Sequence, residues 1–572
     1  MTSAAAEPPS ARVFGIDWSR PLFVVLVGIL SVLVLLPLFW LVYDSLTDEN
    51  GQATLANYFA LLTDPTMRRA FAIAVAMALA VGVLATLVAT PMAWLAARTN
   101  LPGRRAIRVM VMASFVTPPF LGAIAWEILA APNSGILNEA FRTLFGLDRS
   151  HTLFNIYTFQ GLVFAIACYT FPYVFTLVAN ALERVPSDLE DASAILGAGK
   201  LTTLMRITFP MVMPAMLAGA LIAILQALTM FGSPAILALP AGFHVITTKI
   251  WSLFQFPPQL NLAAAAALPL LLITVLLLRG QRWMLGRKGY TVVGGKSGSP
   301  RLADLGPWKW SGLAFVWLVL TLTVILPYAA LLKAALTLNY TAPFDWTSLT
   351  AANLRFVFFD FSATRLALWN TFLLGVLSAT ILTALTLLIA YIVARRAFRG
   401  AWLLGILATA PVAIPGIVLG VALFLAYAND TFMLYGTLWI LLIAFLTIEM
   451  PGGYQQLSSA LTGIHPEVEE ASRILGASRL QTLWRITAPL LKTSIVATWC
   501  FVFIGAIREL SATILLTTAN TKLVSVIIYD LNESGNLGAI SVLGLTLLLV
   551  SFAVVIVASN VPLLSGTRLF RG

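Results

Sequence analysis

The chain has 572 residues, of which 59% are hydrophobic and only 10% are charged, and its mean hydropathy is +0.91. Soluble domains average roughly 25% charged residues, so this composition excludes an ordinary soluble protein and indicates an integral membrane protein. The formal net charge of +11 is consistent with basic loops between apolar segments. We therefore expect membrane lipid around the chain and no nucleic-acid partner.

Apolar segments long enough to cross a bilayer recur along nearly the whole chain. About 20 residues are needed, because an α-helix rises about 1.5 Å per residue and the hydrocarbon core is about 30 Å thick. The predicted fold is therefore all-α and integral to the membrane, with about twelve transmembrane helices. We name them spans 1 to 12, in chain order 21–43, 70–97, 107–130, 157–181, 210–232, 260–279, 310–335, 366–394, 401–427, 436–460, 490–508 and 537–564.

Basic residues predict the orientation of these spans, because cytoplasmic loops carry an excess of Lys and Arg. Basic clusters follow span 2 at 98–108 and span 8 at 395–399. Most of the 35 Lys and Arg lie on the cytoplasmic side if the N-terminus is placed there. We expect both termini in the cytoplasm, with span 1 kept as an anchor and not removed as a signal peptide.

Between spans 6 and 7 the hydrophobicity falls in a segment rich in Gly and basic residues. This segment, 286–306, is the predicted cytoplasmic linker between a first half at 1–285 and a second half at 307–572. It contains GGKS, but Tyr290 replaces the first glycine that a phosphate-binding loop requires. We therefore expect no nucleotide site and no cofactor on this chain.

Cysteine and histidine give no sign of a metal centre. Cys168 and Cys500 both lie within predicted spans, where we expect small buried residues and no disulfide. The three histidines lie in three different predicted loops and have no metal-ligand spacing, which argues against a membrane-embedded enzyme. They are His151, His244 and His465.

A polar stretch occurs twice. EDASAILGAGKLTTLMRITFP, from 190 to 210, and EEASRILGASRLQTLWRITAP, from 469 to 489, agree at 14 of 21 positions. Each follows the fourth span of its half and precedes the fifth, so the chain reads as a parallel duplication of six spans, with a pathway expected on the axis between the halves. We name 186–210 the first repeated loop and 465–489 the second repeated loop.

Each repeated loop has the signals of two short helices joined by a turn. Ser187 followed by Glu190 has the form of a capping box, and Pro466 is a favourable first-turn residue. Gly197 and Gly476 then permit a sharp turn or a close backbone approach. The alternative is an amphipathic loop lying on the bilayer, but two matched copies favour a protruding helix pair.

At these residues both loops resemble the E-A-A, Gly, I-x-x-P signature of permease subunits of binding-protein-dependent ABC importers. The resemblance implies a fused two-half permease of the bacterial inner membrane, whose loops dock on two copies of a cytoplasmic ATPase. ATP hydrolysis would then occur on that partner, and this chain would not be an enzyme. The matching residues, with one shared arginine in each loop, are Glu190, Ala192, Gly197, Arg206, Ile207 and Pro210, and Glu469, Ala471, Gly476, Arg485, Ile486 and Pro489. Asp191 and Glu470 depart from the second Ala of the signature.

The resemblance also implies an extracytoplasmic substrate-binding protein. The segments after spans 5 and 11, FGSPAILALPAGFHVITTKIW and RELSATILLTTANTKLVSVIIYDL, are similar to those of ferric-iron uptake permeases. Ferric iron is thus the first expected substrate, with 2-aminoethylphosphonate, thiamine and polyamine as alternatives. An ion-coupled secondary transporter is the alternative from another class, although it would have no use for two matched cytoplasmic loops.

Four ionisable residues lie within or beside predicted spans, namely Glu127, Glu449, Arg508 and Glu509. A charge at the bilayer centre costs about 2.5–3.5 kcal/mol on insertion scales unless it faces protein or water. We expect these residues to line the pathway; the alternative is that they reach water or headgroups near span ends. Carboxylates suit a hard cation and Arg508 would suit a phosphonate, so no specific metal ligand is assigned.

Overall fold

The structure, a computed structural model, describes residues 19–286, 302–396 and 400–564. Within these ranges the regular secondary structure is helical, and strand-like pairing is limited to three isolated bridges. The all-α prediction is therefore confirmed. In the same ranges nine helices, or up to twelve if each bent pair is one span, are long and apolar enough to cross a membrane. The GGKS sequence and Tyr290 lie outside the described residues.

The helices follow the order that the apolar pattern predicts. Spans 1 to 6 are Pro21–Ser45, Pro65–Arg98, the pair Arg104–Val116 and Pro119–Ala130, Phe159–Glu183, Leu204–Thr229 and Leu260–Gly286. Spans 7 to 12 are Gly306–Leu336, Ser362–Ala394, the pair Ala401–Ala413 and Gly416–Tyr427, Leu438–Thr462, Lys492–Ile507 and Leu537–Leu564. The repeated loops hold Ser187–Ile195 with Lys200–Thr203, and Pro466–Ile474 with Arg479–Thr482.

Short helices between the spans were not predicted from the apolar pattern, because they lack its length. In the first half they are Ala56–Thr63, Ile136–Phe145, Gly232–Leu237 and Ile246–Ser252. In the second half they are Trp346–Ser348, Ala352–Arg355, Phe356–Asp360, Thr513–Leu516 and Val524–Glu533. They lie at the end of the bundle opposite the repeated loops, which we call the far end.

Spans 3 and 9 differ from the prediction, which drew each as one continuous helix. Span 3 bends by 98° between Val116 and Pro119, and span 9 bends by 112° between Ala413 and Gly416. Proline explains both breaks, because it has no N–H to donate and disfavours the helical conformation of the residue before it. Each pair is therefore two half-spans that turn near the middle of the bundle.

A π-helical turn lies just before a proline at four corresponding places. The turns Ser31–Leu35 and Thr321–Ile325 precede Pro37 and Pro327 in the first span of each half. The turns Leu204–Thr208 and Leu483–Thr487 precede Pro210 and Pro489, where each repeated loop joins its next helix. Since proline leaves a carbonyl one turn earlier without its partner, a wider turn at that point accommodates the missing bond.

The first span of each half packs against the other half. In span 1 the carbonyl oxygen of Val32 accepts a hydrogen bond from the Tyr427 hydroxyl of span 9 at 2.5 Å. In span 7 the Tyr328 hydroxyl lies 2.6 Å from the Thr117 hydroxyl at the break of span 3. The two halves are thus interlocked, and a central space lies between them.

Candidate functional site

Each repeated loop exposes two large apolar side chains at its tip. Ile195 and Leu196 are 85% and 87% exposed, and Ile474 and Leu475 are 85% and 88% exposed. Exposed groups of this size at the end of a short helix are typical of a surface that a partner covers. Sequence reasoning missed these residues as contact candidates, although the identical ILGA in both loops was a signal for them.

A glycine ends the first helix of each repeated loop in the left-handed conformation. Gly197 has φ +82° and Gly476 has φ +91°, and nothing lies within 4 Å of a Cβ placed on either. The next residue in the first loop, Ala198, donates its N–H to the carbonyl of Ser193 at 3.0 Å, which closes the helix end. Of the two roles predicted for these glycines, the structure shows the turn and no close approach within the described chain.

A buried arginine braces the first repeated loop against span 2. Arg98, the last residue of that span, is 2% exposed and pairs with Glu190. Its other guanidinium nitrogen donates to the carbonyl of Val185 at 3.2 Å, and the Thr208 hydroxyl donates to Glu190 at 2.8 Å. The capping-box prediction is therefore wrong: Ser187 is the first helical residue, and the Glu190 carboxylate turns inward to a charged partner.

The second repeated loop repeats this brace with different neighbours. Arg395, just after span 8, binds Glu469 through two hydrogen bonds of 2.9 and 3.0 Å and also donates to the Ile464 carbonyl at 3.1 Å. The Thr487 hydroxyl donates to Glu469 at 2.9 Å. Both signature glutamates therefore fasten their loop to other segments of the same half, which makes each loop move with its half.

Removing the threonine of the brace should loosen the second loop more than the first. Thr487→Val leaves the nearly buried Glu469 carboxylate one donor short, at a cost of about 1.5–3 kcal/mol for a hydrogen bond to a charge. Thr208→Val should cost less, because the Glu190 side chain is 25% exposed and Glu469 only 6%. Hydrogen exchange of 466–489 measures the effect, and Thr202→Val, at an exposed threonine, is the control. Equal exchange in Thr487→Val and Thr202→Val would contradict the brace.

The other signature residues lie on the outer side of the loops. The small residues and the arginines, Ala192, Ala471, Arg206 and Arg485, are exposed, as are Pro210 and Pro489. Ile207 and Ile486 are half-buried in the π-helical turns that precede the prolines. Their part in docking remains a prediction.

A cavity of about 580 Å³ lies between the two halves. The breaks of spans 3 and 9 and the segment 508–511 line it, together with spans 4, 5 and 10. On the side of the repeated loops, Gln455 is exposed and Phe501 is 37% exposed. At the other end Gly232 packs so closely that a Cβ there would lie 2.7 Å from Phe120 and 3.2 Å from Leu510. At that end of the cavity, Gly232, Phe120 and Leu510 are therefore in close contact.

Three of the four predicted pathway residues meet in this cavity, and they are its only charged lining residues in the described chain. Arg508 donates to the carbonyls of Phe115 and Val116 at 3.1 and 3.4 Å, across the boundary between the halves. Glu509 accepts the backbone N–H of Ala512 at 2.9 Å. The Arg508 guanidinium and the Glu509 carboxylate thus already have partners within the fold.

Glu449 differs from these two, because no residue that the structure describes hydrogen-bonds its carboxylate. The carboxylate lies over Gly505, where a Cβ would approach its oxygen to 2.2 Å. Because Gly505 has no side chain, the Glu449 carboxylate can occupy this space. Of the ionisable residues in the cavity, Glu449 is the one available to a ligand.

Neutral polar residues of the first half also line the cavity, and sequence reasoning missed them. Gln226 donates to the Tyr173 hydroxyl at 2.6 Å, and the Tyr173 ring packs edge-on against Phe115. The Tyr169 hydroxyl is buried without a hydrogen-bond partner in the described chain. A single Tyr or Gln in a span has no sequence pattern that shows whether it lines a cavity or contacts another helix.

Glu127 lies elsewhere, outside the lining of the cavity. Its carboxylate accepts hydrogen bonds of 2.8 Å from the Tyr157 hydroxyl and from the side-chain amide of Asn532 in the second half. The Asn532 bond joins the two halves at the far end, whereas the Tyr157 bond lies within the first half. The structure thus gives Glu127 a structural contact, and a place in the pathway stays a prediction.

Loss of this contact should destabilise the protein. Glu127→Leu removes the acceptor of two part-buried donors, and we expect the free energy of unfolding to fall by about 1–3 kcal/mol. Thermal unfolding of the purified chain in detergent measures it. Glu49→Leu, at an exposed glutamate in the turn after span 1, is the matched control. An unchanged midpoint for Glu127→Leu would show that these bonds contribute nothing.

Within the described residues no group of three or more His, Cys, Asp or Glu is arranged to hold a metal ion. Cys168 and Cys500 are free and buried, as the sequence predicted. Hydrogen bonds from Ser150, and then the contact with His151 at 2.9 Å, lower the pKa of the Asp148 carboxyl to about 2. His151 and His465 are exposed and His244 is half-buried, and each lies in a different loop of the described chain.

Comparison with known proteins gives relatives for each half. The family "Binding-protein-dependent transport system inner membrane component" matches residues 89–288 and again 386–562. The ferric transport system permease protein FbpB of Actinobacillus pleuropneumoniae is 29% identical over 460 residues, which cover 78% of this chain and 64% of that protein. Putative ferric transport system permease protein FbpB 1 of Haemophilus influenzae is 29% identical over 422 residues, covering 73% and 65%. The chain thus spans less than two thirds of the length of these two relatives.

Two shorter matches complete the comparison. The molybdenum transport system permease protein ModB of Escherichia coli is 26% identical over 231 residues, which cover 39% of this chain and 95% of that protein. ModB therefore corresponds in length to one half. Among solved structures, a chain of the crystal structure of a bacterial alginate ABC transporter with its periplasmic protein matches with a TM-score of 0.39 and 16% identity, over 47% of this chain and 95% of that chain.

Proposed function

Since the chain belongs to the family of inner membrane components of binding-protein-dependent transport systems, we propose that it is the fused permease subunit of an ABC importer. It forms the pathway between its two halves and couples that pathway to a separate cytoplasmic ATPase. The substrate is ferric iron, delivered by an extracytoplasmic binding protein. Both termini and both repeated loops face the cytoplasm.

The matched pair of braced loops is the observation that carries the proposal. Each loop exposes an Ile-Leu pair at its tip and is held to its spans by the same Arg, Glu and Thr contacts. A loop that is fastened to its half and binds a partner through its apolar tip transmits the motion of that partner to the half. Two such loops favour two copies of one ATPase, each bound to one loop. Closure of the ATPase pair would then move the two halves.

The cavity supports a cationic substrate. Its charged lining residues are two carboxylates and one guanidinium, and the guanidinium already donates to the Phe115 and Val116 carbonyls. Glu449 is left as an oxygen donor without a partner, and carboxylate oxygens suit a hard cation such as ferric iron. The relatives named ferric transport permeases agree with this choice.

An oxyanion is the second candidate substrate, and Arg508 is the observation that favours it. A guanidinium binds phosphonate or sulfate through paired hydrogen bonds, and relatives named for molybdenum and sulfate transport match one half of the chain. For this substrate Arg508 would have to leave its carbonyl partners. We rank it second for that reason.

Uptake into proteoliposomes tests the proposal. The full chain is reconstituted with its ATPase and binding-protein partners, and uptake of ferric iron, molybdate, sulfate, 2-aminoethylphosphonate, thiamine and spermidine is compared. We expect ferric uptake that needs ATP and the binding protein. A non-hydrolysing ATPase variant is the control.

Two outcomes would overturn parts of this reading. Uptake driven by a proton or sodium gradient without ATP would make the chain a secondary transporter. ATP-dependent uptake of an oxyanion alone would keep the importer and replace its substrate.

A further inference from the structure

The cavity between the two halves is lined unevenly, with all of its charge on one side. In the described chain its three charged lining residues, Glu449, Arg508 and Glu509, belong to the second half. With the repeated loops aligned, the corresponding residues of the first half also line the cavity, and they are neutral: Thr170, Thr229 and Met230. A ligand in this space therefore meets charge on one side and neutral groups on the other.

The neutral side has hydrogen-bonding groups that the fold leaves unused. Gln226, which corresponds to Gly505, donates its side-chain amide N–H to the Tyr173 hydroxyl at 2.6 Å. Among the described residues the Gln226 amide oxygen then has no donor and the Tyr173 hydroxyl has no acceptor. The hydroxyl of Tyr169, a lining residue that is 2% exposed, also lacks a partner in this part of the chain. One acceptor and two donors are thus left for a ligand.

The cavity lacks the oxygen ligands that a bare metal ion needs. Hard cations take about six or more oxygen ligands, and no group of three or more His, Cys, Asp or Glu in the described chain could hold a metal ion. Glu509 already accepts the Ala512 N–H, which leaves the Glu449 carboxylate alone. One carboxylate cannot replace a coordination shell, and an ion that loses its shell without a replacement is strongly destabilised.

The size of the cavity removes the need to lose that shell. A water molecule occupies about 30 Å³ in the liquid, whereas the cavity has a volume of about 580 Å³. A cation therefore fits together with a complete shell of ligands. Waters bound to a cation are strong hydrogen-bond donors, and the Glu449 carboxylate and the Gln226 amide oxygen can accept from them.

We propose that the transported cation occupies this cavity with its own shell of oxygen ligands. The Glu449 carboxylate attracts the charge from outside the shell, while Gln226 and Tyr173 hydrogen-bond to ligands in the shell. Binding of this kind is weak enough for the cation to leave again, which passage through a membrane protein requires. The identity of the cation as ferric iron rests on the proposed function, whereas the lining of the cavity does not.

The number of waters on a bound trivalent cation tests the proposal without any transport assay. Terbium(III) is added to the full chain in phosphatidylcholine nanodiscs, and its luminescence is excited through nearby Tyr and Trp. The decay rates in H₂O and D₂O then give the number of waters that the ion keeps. The signal from the cavity is the part that Glu449→Gln removes, and we expect this ion to keep most of its waters. A signal that Glu449→Gln leaves unchanged would overturn the proposal, because the ion would bind elsewhere.

Gln226→Leu distinguishes a contact with the shell from a contact with the ion. It removes one hydrogen bond, so we expect about fivefold weaker terbium binding with an unchanged number of waters. A higher number of waters in this variant would overturn the proposal, because Gln226 would then coordinate the ion directly. Gln52→Leu and Glu49→Gln, at exposed residues in the turn after span 1, are the matched controls and should bind terbium as the wild type does.

A cation with a fixed shell gives a second test. Hexaamminecobalt(III) has the same charge and does not exchange its ligands, and we expect it to displace terbium from the wild type. Failure to displace terbium, or a bound terbium ion that has lost most of its waters, would indicate direct coordination by the protein and overturn the proposal. Displacement by molybdate would overturn it as well, since the cavity would then bind an oxyanion.

This result is independent of the uptake assay. A terbium ion that keeps its waters in the cavity, without ferric uptake, would support the retained shell and replace iron as the substrate. Ferric uptake together with a terbium ion that has lost its waters would keep the importer and overturn the retained shell.

Discussion

Replacing Leu196 and Leu475 together with Asp is expected to abolish retention of the ATPase. Both side chains are almost fully exposed at the loop tips, where the proposed partner would bury them. A buried leucine contributes about 1.5–3 kcal/mol, so the loss of both lowers the affinity at least about hundredfold. Co-purification of the ATPase with the tagged chain measures the effect.

Leu144→Asp is the matched control, because Leu144 is 78% exposed on a helix at the far end. It should retain the ATPase at the wild-type level. Each single variant, Leu196→Asp or Leu475→Asp, removes one of the two contacts and should weaken retention to an intermediate level. Wild-type retention by the double variant would show that the tips are not the docking surface.

Neutralising Glu449 is expected to lower ferric uptake at least about tenfold while the ATPase stays bound. Glu449→Gln keeps the shape of the side chain and removes its charge. Two unit charges 4 Å apart interact by about 4 kcal/mol at an effective dielectric constant of 20, and a more highly charged cation gains more. Reconstituted uptake at several iron concentrations measures the loss.

Gly505→Ala tests the same carboxylate in another way. A Cβ at 505 would lie 2.2 Å from the Glu449 oxygen, so the carboxylate has to move while its charge is kept. We expect uptake to fall in this variant as well. Glu139→Gln, which neutralises an exposed carboxylate outside the cavity, is the control. Full uptake by Glu449→Gln would remove this residue from the pathway.

The repeated loops could be located from the sequence because their signals are local. The turn glycines and the helix-opening Pro466 act within a few residues, and the structure places them as predicted. The brace could not be read in this way, since Glu190 pairs with Arg98 across 92 positions of the chain. The sequence nevertheless contains a signal for the brace, because Arg98 and Arg395 end the matching stretches AWLAAR and AYIVAR. Basic residues at these positions also indicate orientation, which hides their second role.

The cavity was predicted in part, through its charged residues. A charge in an apolar segment stands out in a sequence, so Glu449, Arg508 and Glu509 could be predicted as pathway residues. Which of them has a hydrogen-bond partner depends on the fold, which the sequence pattern does not show. Glu127 was selected on the same grounds and has partners outside the cavity. The bends of spans 3 and 9 could not be predicted, because their size depends on packing that hydropathy does not describe.

The interlocking of spans 1 and 7 has a consequence for how the protein is made. Val32 accepts its hydrogen bond from Tyr427, and the Tyr328 hydroxyl contacts Thr117, so each half makes contacts that only the other half can supply. Until the second half has been inserted, the first half lacks these partners, although span 1 still packs against span 6 of its own half. Biogenesis is complete only when both halves have been inserted, and co-expression of the halves as separate polypeptides should restore an assembly that neither forms alone.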